Sequence, residues 1–256
     1  VHNSLSGQML AKGDHFQVDG IPATPVKDSG VWDAYQVAEI TIRQAGEVVA
    51  GTRVTVPTSD EINCARCHEG NALENVLEEH DERHPQYNLL ASAPVLCADC
   101  HGSPALGGTG PGSSGKYLSE AIHGYHADKG AGCLDCHPGA TTKCNRSIAH
   151  MGDPRKAYDG NCVICHGTMR QVAQSIESGS RIPWADEPGC VTCHTGVPGV
   201  ETGSTLYRNA TGHGGLYCTA CHHSPHAMYP SRETADSYQP LQYQDWSGTI
   251  GSCAAC

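Results

Sequence analysis

Six segments of this 256-residue chain carry the pattern C-x-x-C-H, and that repetition limits the fold more than any apolar stretch does. They are Cys64-Ala65-Arg66-Cys67-His68, Cys97-Ala98-Asp99-Cys100-His101, Cys133-Leu134-Asp135-Cys136-His137, Cys162-Val163-Ile164-Cys165-His166, Cys190-Val191-Thr192-Cys193-His194 and Cys218-Thr219-Ala220-Cys221-His222. A seventh copy, Cys253-Ala254-Ala255-Cys256, lacks its His because the sequence stops there, and truncation is the expectation. Two thiols three residues apart with an imidazole on the next residue form the attachment signature of c-type haem: the thiols make thioethers to the porphyrin, and the imidazole ligates the iron. A zinc ribbon array also uses C-x-x-C pairs, but it needs no fixed His after each one. A thioredoxin-like dithiol comes once, beside a strand and a helix. Repetition therefore favours covalent haem, with six haems on complete motifs and a seventh at the last. The cysteines named in the seven motifs are the thioether positions, and His68, His101, His137, His166, His194 and His222 are the proximal ligands.

Composition agrees with an interior built from something other than side chains. The hydrophobic fraction is 38% with a single Phe, Phe16, while 30 Gly and 15 Pro favour irregular backbone. Motifs begin 33, 36, 29, 28, 28 and 35 residues apart, too close for a packed domain per haem, so neighbouring haems must share walls. The fold class expected is a mostly irregular chain with short α-helices wrapped around stacked haems, residues 61–256, preceded by a small β-rich N-terminal module, residues 1–60. Without haem such a chain should not fold, because ligand assembly and folding are coupled.

The formal net charge of −11 argues against nucleic acid as a partner. Haem uses fourteen of the fifteen cysteines, leaving Cys144, which reads as a buried small residue, with an interchain disulfide or an unusual ligand as alternatives. No run of 18 apolar residues is present, so no transmembrane segment is expected. The start lacks a basic and apolar leader, and the expectation is that the sequence begins after processing or is only the ordered part. Covalent haem attachment takes place outside the bacterial inner membrane, so the chemistry points to the cell exterior, or alternatively the periplasm.

Along the chain, Ala38-Glu39-Ile40-Thr41-Ile42-Arg43 alternates with period two and predicts a strand, Gln44 to Glu47 a turn, and Val48 to Val56 a second strand ended by Pro57. This module's expected role is to cover haem or a neighbouring subunit. Asn71 to His84 predicts a helix with Leu73, Val76, Leu77 and His80 on one face, ended by Pro85. Ser119 to His126 predicts a further helical turn, and Gly107 to Gly115 a flexible loop without assigned chemistry. The tail from Arg232 to Gly251, with Tyr238, Tyr243 and Trp246, is expected against haem edges.

The second axial ligand decides between a carrier and an enzyme. Sixteen His less the six in motifs leave ten. His80 and His84, four apart, and His123 and His126, three apart, form pairs suited to adjacent haems. His213 and His226 flank the sixth motif, and His150 completes the set of seven distal candidates. His2, His15 and His223 are reserves. Met9, Met151, Met169 and Met228 are too few for an all-Met alternative, so bis-His iron is expected.

These motifs, with His80-Asp81-Glu82-Arg83-His84, Ala121-Ile122-His123-Gly124-Tyr125-His126 and the run from Gly212-His213-Gly214-Gly215 to Ser224-Pro225-His226, resemble multihaem c-type cytochromes of metal-reducing and environmental bacteria. The resemblance covers residues from about 60 onward. It implies stacked bis-His haems carrying electrons to other redox proteins or extracellular acceptors, and in some relatives homopolymers in which the haem chain crosses subunits. No C-x-x-C-K motif of the nitrite reductase type occurs. The expected function is an electron-transfer conduit rather than a substrate-converting enzyme. The alternatives are a multihaem oxidoreductase reducing a small oxyanion or metal ion at an open haem, and a haem or metal store.

Overall fold

The computed structural model describes residues 5–18, 21, 23–139, 141–142, 144–148, 160–196 and 205–255. His2, His150, Met151 and Cys256 therefore lie outside the described residues. Two antiparallel hairpins open the chain: β1 (Leu10–Ala11) with β2 (Phe16–Gln17), and β3 (Tyr35–Gln44) with β4 (Glu47–Pro57). The strands expected from period-two alternation lie within β3 and β4. Their two-residue connection, Ala45-Gly46, has both φ angles positive (51° and 92°), the backbone that matches the twist of a tight hairpin. A register irregularity between Ile42 and Arg43 adds a local bend. Inward residues Ala38 and Ile40 are half-buried, whereas Ile42, Val48 and Val49 at the far end are exposed.

The near half of this ribbon is joined to the C-terminal segment. Helix α7 (Tyr238–Gln244) packs on β4. Thr52 Oγ1 donates to Gln242 Oε1 at 3.0 Å, Gln242 Nε2 donates to the Gly51 carbonyl at 2.8 Å, and the Arg53 guanidinium lies 4.4 Å from the Tyr238 ring centre. Below them is a buried polar hub. Arg146 and Asp236, 5% and 0% exposed, form a two-pronged ion pair, Nε to Oδ2 2.8 Å and Nη2 to Oδ1 3.1 Å. Paired geometry of this kind offsets the desolvation of both charges, and removing one partner leaves the other buried and uncompensated.

Helices elsewhere are short. α1 (Ala72–Arg83) follows the first motif, with Leu77 2% exposed. Leu73, expected on the inner face, is 50% exposed, because the face that packs runs through Val76, Leu77 and His80. α2 (Leu118–His126) packs against α5 (Met169–Glu177), which buries Ala173 and Ile176. Gly124 lies on this side of α2; a methyl group there would sit at ordinary van der Waals distance, 3.6 Å, from Ala173 Cβ. α5 opens with a reciprocal cap, in which the Gln171 amide donates to Thr168 Oγ1 and the Thr168 amide donates to Gln171 Oε1. The Gly107–Gly115 loop folds back onto the second motif. Gly112, at φ 76°, is so close to the Cys100 carbonyl that a Cβ would lie 2.3 Å from it, and the Ser114 amide donates to that carbonyl.

Few apolar side chains are buried, among them Ala34, Leu77, Ala173, Ile176, Tyr207, Ala227 and Tyr229. The accessible surface is 16518 Å² for 27.0 kDa. A compact monomer of that mass exposes roughly 11,000 Å². The polypeptide alone thus leaves far more surface in water than a closed domain would, and the segments are held mainly by turns, caps and hydrogen bonds.

One such tie is Glu61. Its carboxylate accepts from the amides of Thr141 and Thr142 (2.6 and 3.0 Å) and from Ser59 Oγ, while the Tyr35 hydroxyl donates to the Thr142 carbonyl. Burial works to raise the Glu61 pKa, but those donors outweigh it and hold the group at about 2. The stabilisation is therefore complete above the ordinary value of 4.5 and is lost as pH falls through about 2. Glu61→Gln is expected to lower stability at neutral pH by on the order of 1 kcal/mol after solvent screening. The gap from the native chain should shrink on acidification from pH 4.5 to 2; a gap constant across that window in thermal unfolding overturns the assignment.

Candidate functional site

Each complete motif lies in a short helix or helical turn, as do the described residues of the seventh. Single 3₁₀ turns span Cys64–Arg66, Cys97–Asp99, Cys190–Thr192 and Cys253–Ala255, and the remaining motifs lie in α3 (Cys133–Cys136), α4 (Gly160–His166) and α6 (Cys218–His222). The amides of His68, His101, His137 and His194 donate to the carbonyls of Cys64, Cys97, Cys133 and Cys190 at 2.8–2.9 Å. In one helical turn, residues three and four apart share a face, so the two thiols and the imidazole come to the same side. The fourteen described cysteines form no disulfide with one another. Among the described residues, no three His, Cys, Asp or Glu side chains converge on one point suited to a metal ion. The histidines instead come together in twos.

Three of those pairs join a motif His to a His outside the motifs. His68 faces His126 with ring centres 6.3 Å apart, His137 faces His123 at 6.1 Å with planes 18° apart, and His166 faces His226 at 5.9 Å. Two imidazoles on opposite sides of one metal ion, each nitrogen about 2 Å from it, have ring centres about 6 Å apart. Spacing in all three pairs therefore fits axial ligation of one iron by two imidazoles.

Ring orientation fits as well. His123 Nδ1 donates to the Ser119 carbonyl at 2.7 Å, and His126 Nδ1 to the Ile122 carbonyl at 2.8 Å. A carbonyl only accepts, so Nδ1 carries the proton and Nε2 keeps the lone pair that a metal needs. His68 Nδ1 lies 2.8 Å from Asn75 Oδ1, and His101 Nδ1 2.9 Å from Ser114 Oγ. Burial, together with the facing His123, pushes the His137 pKa down; burial, with His226 next, does the same for His166. Both shifts favour the neutral imidazole, the form that a metal would need.

The other candidates are placed differently. His80 packs beside His84, ring centres 5.1 Å apart, and both lie near Tyr87. His80 Nδ1 is buried without a hydrogen-bond partner, and its pKa is pushed down by burial first, then by His84 and His101. His213 is exposed in the turn His213–Gly215. Reserve His223 stacks on Tyr229 at 5.0 Å, and its Nδ1 donates to the Ala227 carbonyl. Reserve His15 meets Asp14 at 2.9 Å and the edge of Tyr217, which brings the first hairpin beside the sixth motif. Met9 is exposed, and Met169 opens α5. Cys144 is half-buried with its thiol pushed up by burial, and its sulfur lies 3.8 Å from His226 Nδ1.

Motif order in space departs from motif order in sequence. Arg66 and Asp135 approach at 3.8 Å, and the Cys136 thiol is pushed up by burial and then by Cys64, so the first and third motifs adjoin. Sequence reading missed Asn75, Ser114 and Ser119 as anchors for imidazoles. Only Ser119 had a local signal, four residues before His123.

No family model, curated protein or solved structure matches this chain. Among the described residues, no helix is long and apolar enough to cross a membrane.

Proposed function

We propose that this chain is an electron-transfer conduit holding six c-type haems on its complete motifs and a seventh on the last, most of them between two imidazoles. The observation that carries this reading is the set of three His pairs, each with one motif member and one remote member at the spacing of two axial ligands. When bound, haem supplies a one-electron iron couple, and its porphyrin supplies apolar surface that the side chains lack. The chain's own residues do the rest. Each motif turn presents two thiols and an imidazole to one side, and carbonyls of α2 hold two distal rings in the ligating tautomer.

α2 carries ligands for two sites, since His123 faces His137 while His126, three residues on, faces His68. Two imidazoles holding one iron would leave it no open position for a small substrate, so the paired histidines favour electron transfer over substrate conversion. The reading includes an extracellular or cell-surface setting, with the periplasm as alternative, other redox proteins or extracellular acceptors as partners, and assembly into a homopolymer.

In the oxidised, haem-loaded protein, haem content should be six or seven per chain and low-temperature EPR should give low-spin signals throughout. A stoichiometric high-spin haem would move the oxidoreductase alternative to the front, and protein without covalent haem would end the reading. His123→Met and His126→Met should each raise the midpoint of one redox component by about a tenth of a volt or more, within the ~0.8 V range that axial ligands span. The two substitutions should move different components, because the two rings face different motifs; movement of the same component by both contradicts the pairing.

A further inference from the structure

The geometry points to Cys144–Ser147 as a clamp that positions His226 and sets how strongly that ring donates to the iron it would share with His166. This rests on the haem reading above and adds a role for residues that the motifs do not account for. His226 sits in a short turn, Pro225–Ala227, whose last residue is fully buried. Its backbone carbonyl accepts from two successive amides, Arg146 N at 2.6 Å and Ser147 N at 3.1 Å. Its ring Nδ1 meets Cys144 Sγ. One segment, eighty residues earlier in the chain, thus holds both the backbone and the ring of this ligand.

That segment is itself anchored. The two-pronged pair of Arg146 with Asp236 fixes it from within, and the Arg232 amide donates to the Arg146 carbonyl at 2.9 Å. Ser147 is fully buried. Because an unpaired buried guanidinium is costly, the clamp has little freedom to move away from His226.

His226 also differs from the other two remote ligands in what its Nδ1 meets. His123 and His126 donate to carbonyl oxygens of their own helix, which are good acceptors. A thiol sulfur is a weak one. The partner of the non-ligating nitrogen controls the basicity of an imidazole ligand, and a weaker acceptor leaves the ring a poorer donor. The site of the fourth motif therefore has a higher potential than the same pair would have with a carbonyl partner, and Cys144 is a positioning and tuning residue, not a ligand.

The test is a redox titration followed by visible absorption, with EPR, on haem-loaded native, Cys144→Ala and Cys144→Ser proteins; His226→Met identifies the component that belongs to this site. Cys144→Ala, which removes the acceptor, should shift that component upward and alter one low-spin signal with haem content unchanged. Cys144→Ser, which substitutes a stronger oxygen acceptor, should shift the same component downward. Shifts in the same direction for both variants, no shift in either, or a shift in a different component overturns the proposal. Asp236→Asn, which weakens the anchor without touching His226, should broaden the same low-spin signal; an unchanged signal rejects the anchor. Failure of the haem reading itself would be visible already in the native protein, as absent haem or high-spin iron at this site.

Discussion

The side chains of this 27.0 kDa chain bury little apolar surface among themselves and leave 16518 Å² accessible. Its segments meet instead through directional contacts, each demanding of geometry: a hydrogen bond from His to the first Cys of a motif, a carboxylate gathering two amides, a guanidinium locked on a carboxylate. Such contacts are worth little singly in water, so an arrangement that depends on them gains from a large apolar group placed between the segments. Haem has that character, and the motif turns put both thiols and the imidazole on the side from which it would be held.

Long-range ties explain how so irregular a chain orders its histidines. α2 packs on α5, whose Ala173 and Ile176 are buried, and this packing places the helix from which His123 and His126 reach in different directions. The Arg146–Asp236 pair fixes the strip beside His226. In both cases the residues that carry the rings are placed by elements far from them in sequence, by apolar packing on α5 in the first and by a buried ion pair in the second.

Some local elements were legible because their signals are local. Alternation marked the β3–β4 hairpin, and helical spacing ended by Pro85 marked α1, though Leu73 faces water because the packed face is rotated away from it. α5 passed unnoticed although Thr168 and Gln171 form a reciprocal cap, since the motif just before it dominated that stretch. The glycine-rich loop read as featureless, yet Gly112 brings it against Cys100 and delivers Ser114 to His101. Close backbone approach leaves no trace in periodicity.

The amino-acid sequence by itself determined where thiols and motif imidazoles stand together, because three groups within one helical turn are set by covalent spacing alone. It also supplied a pool of remote histidines. Only the tertiary structure decided which of them meet a motif: His126 with the first, His123 with the third, His226 with the fourth. It likewise decided that the first motif lies beside the third. The reason is that such pairings depend on how α2 packs on α5 and on where the buried Arg146–Asp236 pair anchors its segment, and neither is encoded in the neighbourhood of the residues it brings together.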